Sequence, residues 1–391
     1  MIFSERCDPA IREALEPLLR FRRRQARNRY REFIHRLGET KQEFLARFGA
    51  GPGPADPEKV PYYLLLVGSP CDIPFVFQYQ LDVQYAVGRL VLDEPDDYAR
   101  YAENVVGAET REVTGLRQAA LFAPAHSGDE NTNLSCRHFA TPMAESLERE
   151  PSRWEVSRVV GAGATKERLL GLLGGVDTPS VLFTATHGLV FPYGHSRQRA
   201  QQGALLCQGW EGPGTLRPQD YLNADDISPD ADLGGLIVFS FGCYTAGTPN
   251  QDEQLRNSNG ERLATAPEPF VARLPQKLLA HSRGGALAVI GHVDRAWSWS
   301  FVWKQAGPQI AAYVSTLKRL LLGKPIGWAL EYLNQRYAEL ATELTVALDE
   351  LRERNVADPA DLADLWTAHH DARSFVLLGD PAVRAVPRQV R

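Results

Sequence analysis

Two apolar runs end in side chains able to carry nucleophilic chemistry. Val-Leu-Phe-Thr-Ala-Thr (181–186) leads into His187-Gly188, and Leu-Ile-Val-Phe-Ser-Phe (236–241), followed by Gly242, leads into Cys243. A thiolate attacks a carbonyl carbon, and an imidazole protonates the leaving amine. If the two runs are neighbouring parallel strands, both groups emerge at one edge. The oxyanion then formed needs N–H donors. The amides of Gly188 and Cys243 could supply them, because a residue without Cβ lets a substrate carbonyl come close. Either residue alone reads more readily as structure, a small buried thiol or a loop histidine. The pair, at two strand ends with glycine neighbours, favours function.

The elements around them alternate. Residues 10–48 read as one or two helices from their apolar spacing, and 49–60 as a Pro/Gly linker. Continuous apolar runs predict strands at 62–67, 119–123, 156–160, 181–186, 236–241, 285–290 and 375–378. Helices are expected over 98–106, 164–173, 274–281, 300–322 and 325–354. Strands alternating with helices imply an α/β fold, a mostly parallel sheet flanked by helices on both faces. Function in such sheets gathers at the carboxyl ends of strands, here Gly68, His187, Cys243 and His292. Two parts follow: an N-terminal helical, Arg-rich segment and linker (1–59), and a main domain (60–391) in which 60–115 can form a smaller leading subdomain.

Composition narrows the class. The 391 residues are 44% apolar and 23% charged, with a formal net charge of −5, which argues against whole-chain nucleic-acid binding. No apolar run is long enough to span a bilayer. The first residues lack the basic-then-apolar pattern of a leader, so a cytoplasmic setting is expected. Cys7, Cys71, Cys136, Cys207 and Cys243 form no Cys-x-x-Cys pair, so free thiols are expected and no metal or other cofactor.

Several ordered blocks resemble the gingipain and CHAT branch of caspase-fold cysteine peptidases. They are Tyr62-Tyr-Leu-Leu-Leu-Val-Gly-Ser-Pro70 with Ile73-Pro74, Leu81-Asp82-Val-Gln-Tyr85 with Gly88-Arg89, Thr186-His187-Gly188, Phe241-Gly-Cys243, the run Gly285 to Trp297, and Phe375-Val-Leu-Leu-Gly-Asp-Pro381. The histidine also precedes the cysteine by a separation similar to the ~50 residues of caspases. The resemblance covers about residues 60–391. It implies a caspase-like fold, a His187–Cys243 dyad, and an oxyanion held by the Gly188 and Cys243 amides. It also implies an S1 pocket containing Asp82 and walled by Trp297, as an aspartate and a tryptophan hold the P1 arginine in arginine-specific gingipains. A carboxylate binds guanidinium bidentately, and an indole face adds about 0.5–2 kcal/mol of cation–π attraction. The expected activity is therefore endopeptidase cleavage of protein or peptide substrates after a basic residue. A catalytically inactive caspase-fold scaffold is the alternative. The cysteine context, Gly-Cys-Tyr-Thr-Ala-Gly, departs from the caspase Gln-Ala-Cys pattern.

Other polar groups read as structure. His292 and Asp294 suit a loop-ordering pair, His369-His370 a solvated helix end, and Asp225, Asp226, Asp230 and Asp232 a solvated acidic loop. Seven arginines between 20 and 31 read as a solvated helix face, with docking of a regulatory protein partner as a second reading. Residues 249–268 read as a mobile surface loop in which Arg256 and Arg262 are candidate self-processing sites.

Overall fold

The computed structural model describes residues 1–110, 117–150, 154–212, 216–303, 306–354 and 358–386. One ten-stranded sheet organises them. Its strands are β1 (Ile2–Ser4), β2 (Phe33–His35), β3 (Tyr63–Val67), β4 (Ala86–Leu90), β5 (Arg117–Ala123), β6 (Trp154–Val160), β7 (Val181–Ala185), β8 (Ile237–Phe241), β9 (Ala288–His292) and β10 (Phe375–Gly379). Their order across the sheet is β2-β1-β3-β4-β10-β9-β8-β7-β5-β6. The helices that matter here are α1 (Glu16–Ala26), α2 (Phe75–Asp82), α3 (Pro95–Thr110), α4 (Glu130–Leu134) and α5 (Pro359–Arg373).

Every neighbouring pair is parallel except β9 and β10, which run antiparallel from Ala288↔Gly379 to His292↔Phe375. This seam reverses one half against the other. The carboxyl ends of β7, β8 and β9 therefore share an edge with the amino ends of β4 and β10. Gly68, just past β3, lies at the opposite edge from His187 and Cys243.

The central strands β4, β7, β8, β9 and β10 are buried along their whole length. That is why β7, β8, β9 and β10 read as near-continuous apolar runs rather than alternating ones, whereas β4 carries Arg89 and does not. Two of the recognised blocks serve this packing. A Cβ at Gly88 would overlap the Gly379 carbonyl of β10. Fully buried Arg89 stitches β4 to Gln78 of α2 and to the carbonyls of Gly68 and Pro74.

Several sequence expectations change. Residues 1–59 do not form a separate helical segment, because β1 pairs with β3 and carries β2 at the sheet edge. The boundary at 115 falls outside the described residues. Helix 300–322 is replaced by a ribbon pairing Val302–Trp303 with Gly307–Pro308, and a helix begins only at Ala311. Gly307 has φ 71°, a left-handed conformation that the adjacent proline and an α-helix cannot continue. The 251–264 stretch is a hairpin, Gln251–Arg256 against Arg262–Ala264. Arg256 and Arg262 are register partners in it and exposed. His370 is buried rather than solvated, and burial together with Arg373 drops its pKa to about 2. The arginine cluster is mostly exposed, but Arg22 is buried between Asp380 and Glu109, at 2.7 and 2.5 Å.

Candidate active site

Parallel pairing puts the two strand ends in step. Phe241 of β8 is the register partner of Ala185 of β7. Two residues further along each chain come Cys243 and His187, at the same edge of the sheet. The backbones meet closely there. A Cβ at Gly188 would overlap the Cys243 carbonyl oxygen, and one at Gly242 would press on the Thr186 carbonyl and the Gly188 amide. Glycine is needed at both positions by contact, not by φ. Among the described residues, neither the Gly188 nor the Cys243 amide donates to a protein acceptor. Tyr244, directly after the cysteine, has φ 58°, an uncommon conformation for a bulky residue. Its amide donates to the Asp294 carbonyl at 2.9 Å, which turns the chain sharply and leaves Cys243 at the apex.

A third group joins from the loop after β5. Asp129 caps α4, accepting from the Thr132 amide at 3.1 Å and the Thr132 hydroxyl at 2.6 Å. The same carboxylate oxygen lies 2.9 Å from His187 Nε2. Partial burial opposes ionisation of Asp129, but Thr132 and His187 together hold its carboxyl below the usual range. The sequence reading did not find Asp129. Its one local signal, Asp-x-x-Thr after a strand, is that of a helix cap.

The thiol faces the segment that follows β9. Ala296 N–H donates to Cys243 Sγ at 3.4 Å, and Sγ donates to Ala296 O at 3.7 Å. Burial pushes the thiol above the ordinary cysteine range, against the opposing pull of the Ala296 amide and the Arg295 guanidinium. The segment is pinned from α5. Asp371, fully buried, accepts from the Trp297 amide at 3.0 Å and from the Ser300 hydroxyl. Buried His292 places Nε2 3.4 Å from the same carboxylate.

A cavity of about 220 Å³ opens beside the pair. His187, Cys243 and Trp297 line it, with Phe241 and Phe301 as apolar walls. The structure does not bring Asp82 there. Asp82 ends α2 and accepts from the Val87 amide at 3.1 Å, at the start of β4. Its strand is three spacings from β8, roughly 14 Å, and burial raises its carboxyl well above the ordinary range. An aspartate so placed closes a helix–strand turn, and among the described residues that line the cavity there is no carboxylate to carry the basic P1 preference expected from it. Among the described residues, no group of three or more His, Cys, Asp or Glu side chains is placed to hold a metal ion.

A mostly parallel α/β sheet with thiol and imidazole at adjacent strand ends defines a caspase-fold cysteine peptidase. The sequence matches the family model described as Peptidase family C25 over residues 22–386, and the chain belongs to that family. Its fold is similar to the Arg-specific cysteine proteinase gingipain R (RgpB), with a TM-score of 0.55 at 11% identity over 98% of this chain and 78% of that one. It is also similar to the complex of Porphyromonas gingivalis RgpB pro- and mature domains, with a TM-score of 0.54 at 12% identity over 98% of this chain and 80% of that one. No curated protein sequence matches it.

Proposed function

We propose that the protein is a cysteine endopeptidase in which Cys243 is the nucleophile, His187 its proton acceptor and donor, and Asp129 the group that orients the imidazole. The observation that carries this reading is the convergence of Asp129, His187 and Cys243 on one cavity from two adjacent strand ends and the cap of α4. With Nε2 held by Asp129, the other ring nitrogen, Nδ1, is left for the thiol. The raised thiol pKa means that the proton moves when substrate arrives, as Sγ leaves Ala296 for the scissile carbonyl. The S–C bond forms as His187 takes the proton. The uncommitted Gly188 and Cys243 amides suit the oxyanion. Imidazolium then protonates the departing amine as the C–N bond breaks. Water, deprotonated by His187, releases the acid and restores the thiol.

An intracellular regulatory role belongs to the same proposal, supported by five cysteines that are all free thiols. Purified protein should cleave a peptide library, and Cys243→Ala and His187→Ala should each remove that cleavage with unchanged circular dichroism. Removing one member of such a set costs about as much as removing several. Wild-type turnover in folded Cys243→Ala protein would exclude this nucleophile.

A further inference from the structure

We propose that the cavity beside Cys243 selects an uncharged P1 side chain and rejects arginine and lysine. The inference rests on the endopeptidase reading and deepens it by naming the substrate class. A scissile carbonyl seated at Sγ, with its oxygen toward the Gly188 amide, places the side chain that precedes it against the lining shared by Cys243 and His187. Three aromatic rings form much of that lining: Phe241, Trp297 and Phe301. Phe301 is backed by Phe139, stacked at 4.6 Å. Asn131, Ser135 and Ser298 add neutral polar atoms.

No carboxylate is among the described residues that line the cavity, and apart from His187 and Cys243 its one ionisable wall group is a cation, Arg295. Arg295 Nε donates to Asp252 at 3.2 Å, and its side chain is one-third exposed, at 33%. Neither Nη group has a hydrogen-bond partner among the described residues. Asp252 is buried, at 3% side-chain exposure, and is not part of the lining. Asp129 is already engaged by His187 and Thr132, and Asp82 lies with Val87.

A P1 guanidinium or ammonium entering here would give up water, find no carboxylate among the described lining residues for its donors and face the Arg295 guanidinium. A cation–π contact with Trp297 offsets only part of that. An apolar or carboxamide side chain meets none of these penalties and removes apolar surface from water. The absence of an anion, rather than the size of the cavity, therefore sets the selection. Ser135 is buried and Asn131 exposed in the cavity lining, so Asn131 is the position where a carboxylate can be added without a change of volume.

The test uses the full-length protein and fluorogenic peptides that differ only at P1: leucine, methionine, glutamine, aspartate, arginine and lysine. For the best of leucine, methionine and glutamine, kcat/KM should exceed that for arginine and lysine by at least about tenfold. Asn131→Asp and Arg295→Gln should each raise the arginine rate relative to the leucine rate. Arginine, lysine or aspartate as the best P1 in the wild-type protein overturns the selection and leaves the endopeptidase reading standing. An arginine-to-leucine ratio unmoved in both variants overturns the assignment of this cavity to P1. Hydrolysis of no member of the series, with no Cys243 adduct after incubation with a P1-leucine acyloxymethyl ketone, overturns the endopeptidase reading and this proposal with it.

Discussion

Asp129 uses one carboxylate for two purposes, and a conservative substitution separates them. Asparagine keeps an oxygen to accept from the Thr132 amide, so the cap of α4 survives. It removes the charge that faces His187 Nε2. Asp129→Asn should therefore lower kcat by about 10²–10⁴-fold, with KM and melting temperature little changed. A kcat within a factor of two of wild type would remove Asp129 from the site. Asp294 offers a different experiment. It is buried near Asp252 and Glu253, and burial with the Asp252 charge raises its pKa from 3.8 to about 6, although the Arg295 amide and guanidinium pull the other way. A raised carboxyl pKa means that the folded state favours the protonated acid. That contribution is fully present below the ordinary value and is lost as pH rises through about 6. Asp294→Asn keeps an acceptor for the Arg295 amide and cannot ionise. It should match wild type in urea at pH 4 and be more stable at pH 8, by up to about 3 kcal/mol. The strand-end placement of His187 and Cys243 was legible in the sequence because each follows a mostly apolar run beside a glycine. Asp129 was not, because its local pattern is that of any helix cap and its partner lies 58 residues away.

At the scale of elements, α5 holds the wall of the cavity. Asp371 reaches from this helix to the Trp297 amide and the Ser300 hydroxyl, and through them fixes Ala296 against the thiol. Asparagine at 371 still accepts from one donor but turns an N–H toward the other. Asp371→Asn should lower kcat/KM by about 10²-fold, the scale of a small misplacement of reacting groups. Alkylation of Cys243 by iodoacetamide, mapped by mass spectrometry because Cys71 is also exposed, should be at least as fast as in wild type. Labelling that appears at buried Cys207 as well would instead mean general unfolding. Neither α5 nor α2 was legible. Helix α5 mixes buried His370, Ala368 and Ala372 with exposed residues, and its apolar stripe is too broken to show a period. The hairpin at 251–264 was hidden in the same way, since its outward side chains Arg256, Glu261 and Arg262 are charged and exposed, as in a loop.

Over the whole molecule, the alternation of apolar runs was enough to predict a mostly parallel sheet with helices around it. The seam between β9 and β10 was not readable, because a buried strand has the same composition whichever way it runs. β1 and β2 escaped notice because three residues each give no period to detect. Arg22 ties these parts together, joining α1 to Glu109 of α3 and to Asp380 just past β10. Removing one partner of a buried ionic cluster leaves the others uncompensated, so Arg22→Ala should cost about 3–5 kcal/mol in urea denaturation. Arg20→Ala, in the same helix but exposed, should change stability by less than about 0.5 kcal/mol. The position of β10 also bears on how the protein is made. This strand is the final one among the described residues, yet it lies between β4 and β9, with four strands on one side of it and five on the other. A ribosome releases both halves of the sheet before the strand that joins them, and α5, which pins the cavity wall, emerges just ahead of it. A nascent chain therefore carries its thiol and imidazole for some 130 residues of synthesis without the wall that aligns a substrate, so a working cleft waits on the emergence of α5 and β10.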